Sequence, residues 1–275
     1  MSFPDSLKRN QLRVQWLRVL PALLAATCLF FLAAPLIELV LGALGIVSSP
    51  AAESLSDDQQ LLSALWVSFI SATCSTLFCL FFGYPLSYLL ARDRMPAVLL
   101  VRSLLSLPLM LPHPVAGIAL LLVLGPKGLL GAVFSEFGFS VADSVVGISL
   151  AMFFVAVPYV IRVLEMNFRA IDPKLELLAW NLGATPRRLF SQILWPASRR
   201  GVLSAAVLGF ARSFSEFGAV VVLAYFPQSA AVLIWDRFST AGLNAVLPAT
   251  LVLLLMSFML FLLWSSFENM GARDD

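Results

Sequence analysis

The chain has 275 residues, is 60% hydrophobic and only 12% charged, and carries a net charge of +2. Soluble globular chains are about 45–50% apolar and about 25% charged, so this composition excludes an ordinary soluble domain and points to an integral membrane protein. The small net charge leaves no electrostatic footprint for nucleic acid. The sequence also lacks a G-x-x-x-x-G-K-[ST] phosphate loop, a G-x-S-x-G elbow and an H-E-x-x-H pair.

In chain order, the first element is basic and amphipathic. Lys8 to Arg18 read as an interfacial helix at about 5–18, in front of a first apolar span at 19–42. A basic start, an apolar centre and a small-residue end also fit a signal peptide. The apolar run continues past Pro35 through "LIELVLGALGIV", which favours an uncleaved span. Five more runs reach the roughly 20 residues a crossing needs, at 62–90, 99–124, 144–166, 200–224 and 244–266. The expected fold class is all-α: a polytopic membrane protein with six transmembrane helices, forming a single domain over 1–275. Cys28, Cys74 and Cys79 lie inside apolar runs without metal-ligand spacing and read as small core residues.

The connections alternate in charge. "SSPAAESLSDDQQ" after the first span is acidic, and "ARDRMPAVLLVR" after the second is basic. The third connection carries only Lys127 and the fifth only Arg237, whereas the fourth holds Arg169, Lys174, Arg187, Arg188, Arg199 and Arg200. Lys and Arg concentrate on the cytoplasmic side. The N-terminus, the 91–98 loop, the 167–199 loop and the C-terminus are therefore expected in the cytoplasm.

The third span is interrupted. "LPLMLPHPVAGIALLLVLGPKGLLG" places Pro108, Pro112 and Pro114 in mid-span, each removing a backbone donor. Freed backbone groups at membrane depth require burial in protein or a water-filled cavity, and broken helices often mark a substrate path. His113 sits in the break, either as a satisfied structural group or as an ion contact.

The segment "IDPKLELLAWNLGATPRRLFSQILWPASRR" (171–200) is too polar to cross yet half apolar. Asp172-Pro173 is a cap followed by proline at the first helical position, and Thr185-Pro186 repeats the device. Gly183 between them fits a left-handed helix stop. The reading is a pair of short helices, over about 171–196, joined at a glycine elbow. Leu175, Leu178 and Leu182 align on the first helix, and Leu189, Ile193 and Pro196 on the second. Such a pair either rests on lipid headgroups or docks a cytoplasmic partner, with Leu178 and Trp180 as anchors.

In the fifth span, "LGFARSFSEFGAVVVLAYFP" holds Arg212 and Glu216, each costing about 2.5–3.5 kcal/mol at a helix centre. Their i, i+4 spacing lets them pair. Gly209 and Ser213 share their face, and Ala211, Ser215 and Gly218 form a neighbouring small stripe. Two readings stand: an ion pair locking the bundle, or a path along which Arg212 and the serines meet an anion.

These residues carry a resemblance. Ala179, Gly183 and the Ile193-x-x-Pro196 step resemble the cytoplasmic "EAA" loop of the permeases of binding-protein-dependent ABC importers. Leu177 and Leu178 replace the Glu and first Ala of that pattern, and Glu176 lies one position early. "FGYPLSYLLAR" (82–92) resembles the end of their second span. "SEFGAVVVLAYFP", "VLIWDRF" and "LPHPVAGIALL" resemble the molybdate/tungstate members, with sulfate permeases close by. The resemblance runs from about residue 60 to the C-terminus. It implies a multi-pass, non-catalytic subunit of the plasma (inner) membrane. Its implied partners are an ABC ATPase dimer, an external oxyanion-binding protein and a second copy of the chain. No cofactor is expected on this chain, ATP and Mg being held by the ATPase. The expected ATPase-coupling residues are Glu176, Leu178, Ala179, Trp180, Gly183, Ala184 and Arg187, and the expected translocation path holds His113, Arg212, Ser213, Ser215, Glu216 and Gly218. A rival from another class is an ion-coupled transporter using Glu216 and His113. The absence of a second mid-span carboxylate speaks against it.

Overall fold

A computed structural model describes residues 5–47 and 58–271, with side chains for 21–45 and 58–262. Helix α1 (Asp5–Val47) runs without a break from the expected interfacial segment into the first span. The side chains of that basic segment, and most of the acidic connection after the first span, lie outside the described residues. The apolar part of α1, Pro21–Gly45, stands largely clear of the other helices.

Helix α2 (Gln59–Ala91) starts at Asp58, whose carboxylate accepts from the Leu61 amide. Its buried face is a row of small residues: Ala64, Ser68, Ser71, Ala72, Ser75, Cys79, Gly83 and Ser87. Its outer face carries Leu77, Phe78, Phe81 and Phe82. This reverses the soluble pattern, because in lipid the helices are joined by close packing of small residues rather than by expulsion of water. Of the three cysteines, Cys79 is buried in this packing, Cys74 is half-buried and Cys28 is exposed.

The proline-rich third segment folds as α3 (Val98–Met110) and α4 (His113–Leu124), set 115° apart. Leu111 and Pro112 between them are extended, and Pro114 lies in the first turn of α4. After the short α5 (Gly131–Glu136), α6 (Val145–Ala170) is capped by the Ser144 hydroxyl and forms the centre of the bundle. α2 and α6 pack along their length.

The polar segment forms α7 (Pro173–Asn181) and α8 (Pro186–Leu189). A π-helical turn, Phe190–Leu194, then joins α8 without interruption to α9 (Trp195–Phe214). The chain breaks again at Ser215–Phe217 and resumes as α10 (Gly218–Leu223). Helices α11 (Ala230–Ala241) and α12 (Leu243–Gly271) complete the described chain.

Among the described residues, four helices are long and apolar enough to cross a membrane, and the α3–α4 pair makes a fifth if the bent pair counts as one. The run at 200–224, expected as one span, is not a continuous helix. The reason is local: Glu216 turns its amide to the Ser213 carbonyl and its carboxylate to the Ala219 amide. It thereby ends one helix and caps the next, as acidic side chains do in competition with the backbone ladder.

Candidate functional site

The two interrupted segments meet. Arg212, in the last turn of α9, places Nη2 2.8 Å from Glu216 Oε2 and 2.9 Å from His113 Nε2. His113 Nδ1 lies 3.4 Å from the same carboxylate oxygen. Arginine is a donor only, so Nε2 of His113 accepts, and a neutral ring then carries its proton on Nδ1, facing Glu216. The other carboxylate oxygen accepts from the Ala219 amide at 2.9 Å. The Arg212 guanidinium also stands 5.7 Å over the Tyr159 ring of α6. Glu216 is fully buried while the His113 side chain is 46% exposed, so the junction is closed on one side and open on the other.

Glycines hold the breaks together. A Cβ at Gly218 would stand 2.6 Å from the His113 Cβ, and one at Gly117 would stand 2.8 Å from both the Ala219 carbonyl and the Val222 Cβ. α4 and α10 therefore touch backbone to backbone, and no side chain fits at either position. The serines of the expected path lie elsewhere. Ser213 is buried and hydrogen-bonds Ser75 at 2.8 Å, and Ser215 donates to the Arg212 carbonyl and lines an apolar recess between α9, α11 and α12.

The polar hairpin has an inner and an outer face. Asp172 and Thr185 cap its two helices, accepting from the Lys174 and Arg188 amides. Gly183 turns between them at φ +76°, in the left-handed region. Ala179, Leu189 and Leu194 form a small core beneath, packed with Tyr88, Ala184 and Ile193. Glu176 points inward as well. It accepts from Arg92 Nε at 2.7 Å and Tyr88 Oη at 2.8 Å, with Arg94 at 3.3 Å. Arg92 in turn donates to the Phe168 and Ile171 carbonyls, tying together the ends of α2, α6 and α7. The outer face carries Leu175, Leu177, Leu178, Trp180, Leu182 and the exposed Arg187. Sequence reasoning missed Tyr88, Arg92 and Tyr159. Tyr88 and Arg92 lie in the "FGYPLSYLLAR" stretch, but nothing in that pattern pointed to Glu176 as their partner.

The model for the family described as "Binding-protein-dependent transport system inner membrane component" matches residues 83–269. The molybdate/tungstate transport system permease protein WtpB of Thermococcus kodakarensis is 36% identical over 206 residues, covering 75% of this chain and 78% of that protein. A probable sulfate transport system permease protein cysT of Chlorokybus atmophyticus is 31% identical over 252 residues, covering 88% and 86%. A chain from the crystal structure of a bacterial alginate ABC transporter, in complex with an alginate-pentasaccharide-bound periplasmic protein, aligns over 93% of this chain and 94% of its own with a TM-score of 0.70. At 16% identity that likeness shows the shared fold. The chain therefore belongs to the inner membrane components of binding-protein-dependent transport systems.

Proposed function

We propose that this chain is the permease subunit of an ABC importer for a tetrahedral oxyanion of the molybdate/tungstate type. The single observation that carries this is the family match across 83–269, together with relatives named for molybdate/tungstate transport. The anion is delivered by an external binding protein, and the work is done by a separate ATPase that holds ATP and Mg. Two copies of the chain enclose the path, as a closed two-fold assembly requires. Each copy crosses the inner membrane six times, the third and fifth crossings being made of half-helices. Both termini and the 171–196 hairpin are cytoplasmic.

The geometry supplies a mechanism. The outer leucines of α7, with Trp180 and Arg187, dock on the ATPase. Glu176 and Ala179 hold the hairpin to the bundle from the other side. Because α8 continues through the π turn into α9, a displacement at the hairpin is carried along one helical element to Arg212. There it changes the contacts of Arg212 with His113 and Glu216. The junction offers a dianion one guanidinium already shared with a carboxylate. That favours weak, transient binding, as a conduction site requires.

The test is reconstitution with the ATPase and binding protein in liposomes. Leu178→Asp buries a charge in the docking face, and loss of one anchor of about 2 kcal/mol lowers coupled molybdate uptake roughly 30-fold while the chain still inserts. Full coupled uptake in this variant places the docking face elsewhere. A sulfate reading draws on the cysT relative. Uptake of labelled molybdate competed equally by sulfate would favour it.

A further inference from the structure

Three charged side chains of the membrane-crossing helix α6, Arg162, Glu165 and Arg169, take no part in the mechanism above. Arg162, on α6, is exposed, and among the described residues its one hydrogen-bond partner is Ser106 Oγ of α3, at 3.0 Å. No carboxylate among them lies within ion-pair distance of it. The neighbouring charges are already matched. Arg102 and Arg169 both hold Glu165 at 3.0 Å, and Arg102 also holds Asp93 at 3.0 Å. Three arginines face two carboxylates, and Arg162 is the one left over. Ser106 donates its own proton to the Arg102 carbonyl at 2.9 Å, so its lone pairs are aimed at Arg162 and hold it in place.

Arg162, Ser106, Arg102 and Glu165 line one recess of about 130 Å³ together with apolar side chains of α3 and α6. A water needs roughly 10–15 Å³ of such space, so the recess admits a small hydrated anion. It lies about one helical turn along α6 from the Arg212 junction. Tyr159, beneath Arg212, is three residues from Arg162, about 4.5 Å of helix rise. The face of α6 then continues through Glu165 to Arg169 at its cytoplasmic end. An arginine exposed on a crossing helix is costly unless it faces water, and such residues mark ion paths.

We propose that Arg162, positioned by Ser106 and backed by Arg102, is a second anion station between the Arg212–His113 junction and the cytoplasmic exit. Its ligand is a tetrahedral dianion. This rests on the oxyanion-importer reading. Glu165 in the same recess keeps the station weak, so an anion leaves it as readily as it arrives.

The test uses the full importer in liposomes, with labelled molybdate uptake and ATP hydrolysis measured together. Arg162→Gln is expected to lower molybdate moved per ATP hydrolysed at least tenfold, and Arg162→Lys to recover most of it. Ser106→Ala, which frees Arg162 without removing a charge, is expected to lower the same ratio severalfold and keeps the test readable if Arg162→Gln fails to insert. A wild-type ratio in Arg162→Gln, or in Ser106→Ala where only that variant inserts, overturns the station. An equal loss in Arg162→Lys and Arg162→Gln makes Arg162 structural and also overturns it. Wild-type liposomes that move no oxyanion overturn the parent reading instead.

Discussion

Two buried glutamates, each held by an arginine, sit in contrasting surroundings. At Glu176 both carboxylate oxygens are taken, and all three Arg92 nitrogens donate, Nε to Glu176 and Nη1 and Nη2 to two backbone carbonyls. Its partners come from the ends of three helices, and the Arg92 side chain is 6% exposed. At Glu216 both carboxylate oxygens are also taken, but Arg212 engages through Nη2 alone among the described contacts. Arg212 is shared with a half-exposed histidine, and the carboxylate doubles as the cap of a six-residue helix. A buried ion pair whose arginine is engaged through every nitrogen acts as a rivet at a helix junction. An ion pair with one partner facing open space can exchange that partner for a ligand. The difference lies not in the residue types but in how many of their hydrogen-bonding positions the fold has already filled.

Breaking the rivet should have the largest effect. Glu176→Ala leaves Arg92 buried without its counter-charge, which costs about 3–5 kcal/mol. The expected result is a large fall in the melting temperature of the detergent-solubilised protein and early proteolysis at 171–196. A melting curve like that of the wild type would show that Glu176 does not anchor the hairpin.

Gly218→Ala sharpens the other side of the comparison. Its Cβ would press on His113 and Pro114, and overpacking of this kind costs about 1–3 kcal/mol. Here the loss of transport should exceed the loss of stability, because the α4–α10 contact sets the Arg212–His113 distance. Stability and uptake falling in proportion would mark the junction as scaffold only.

The smallest effect is expected at the third pair, Asp58 with Arg237, which clamps the start of α2 to α11. Arg237 donates to both carboxylate oxygens, one at 2.8 Å, and holds the Asp58 carboxyl below the usual carboxylate range. A depressed carboxyl contributes stability above its unfolded pKa of about 3.9 and loses it as pH falls through the folded value. The clamp therefore weakens only below about pH 4. Both side chains are partly exposed, so Asp58→Asn should cost about 1 kcal/mol or less at neutral pH. Unfolding followed from pH 7 to pH 3 should show the wild type and Asp58→Asn converging at the acid end. Curves that stay parallel would remove the clamp.

What could be read from the chain alone was whatever local chemistry dictates. Apolar length announced the membrane. Asp172-Pro173, Gly183 and Thr185-Pro186 announced a capped hairpin, because caps and left-handed glycines act within a few residues. Prolines 108, 112 and 114 announced a broken span, and i, i+4 spacing announced the Arg212–Glu216 pair. The tertiary structure decided what no local rule contains. It brought His113 across to Arg212, turned Glu176 inward onto Arg92, and split the 200–224 run at Glu216. It also set Arg162 over Ser106 rather than beside a carboxylate. The split at Glu216 rests on partners three residues away, Ser213 and Ala219, but the other three depend on partners tens of residues away. A side chain's role in a bundle is set by which neighbour satisfies it.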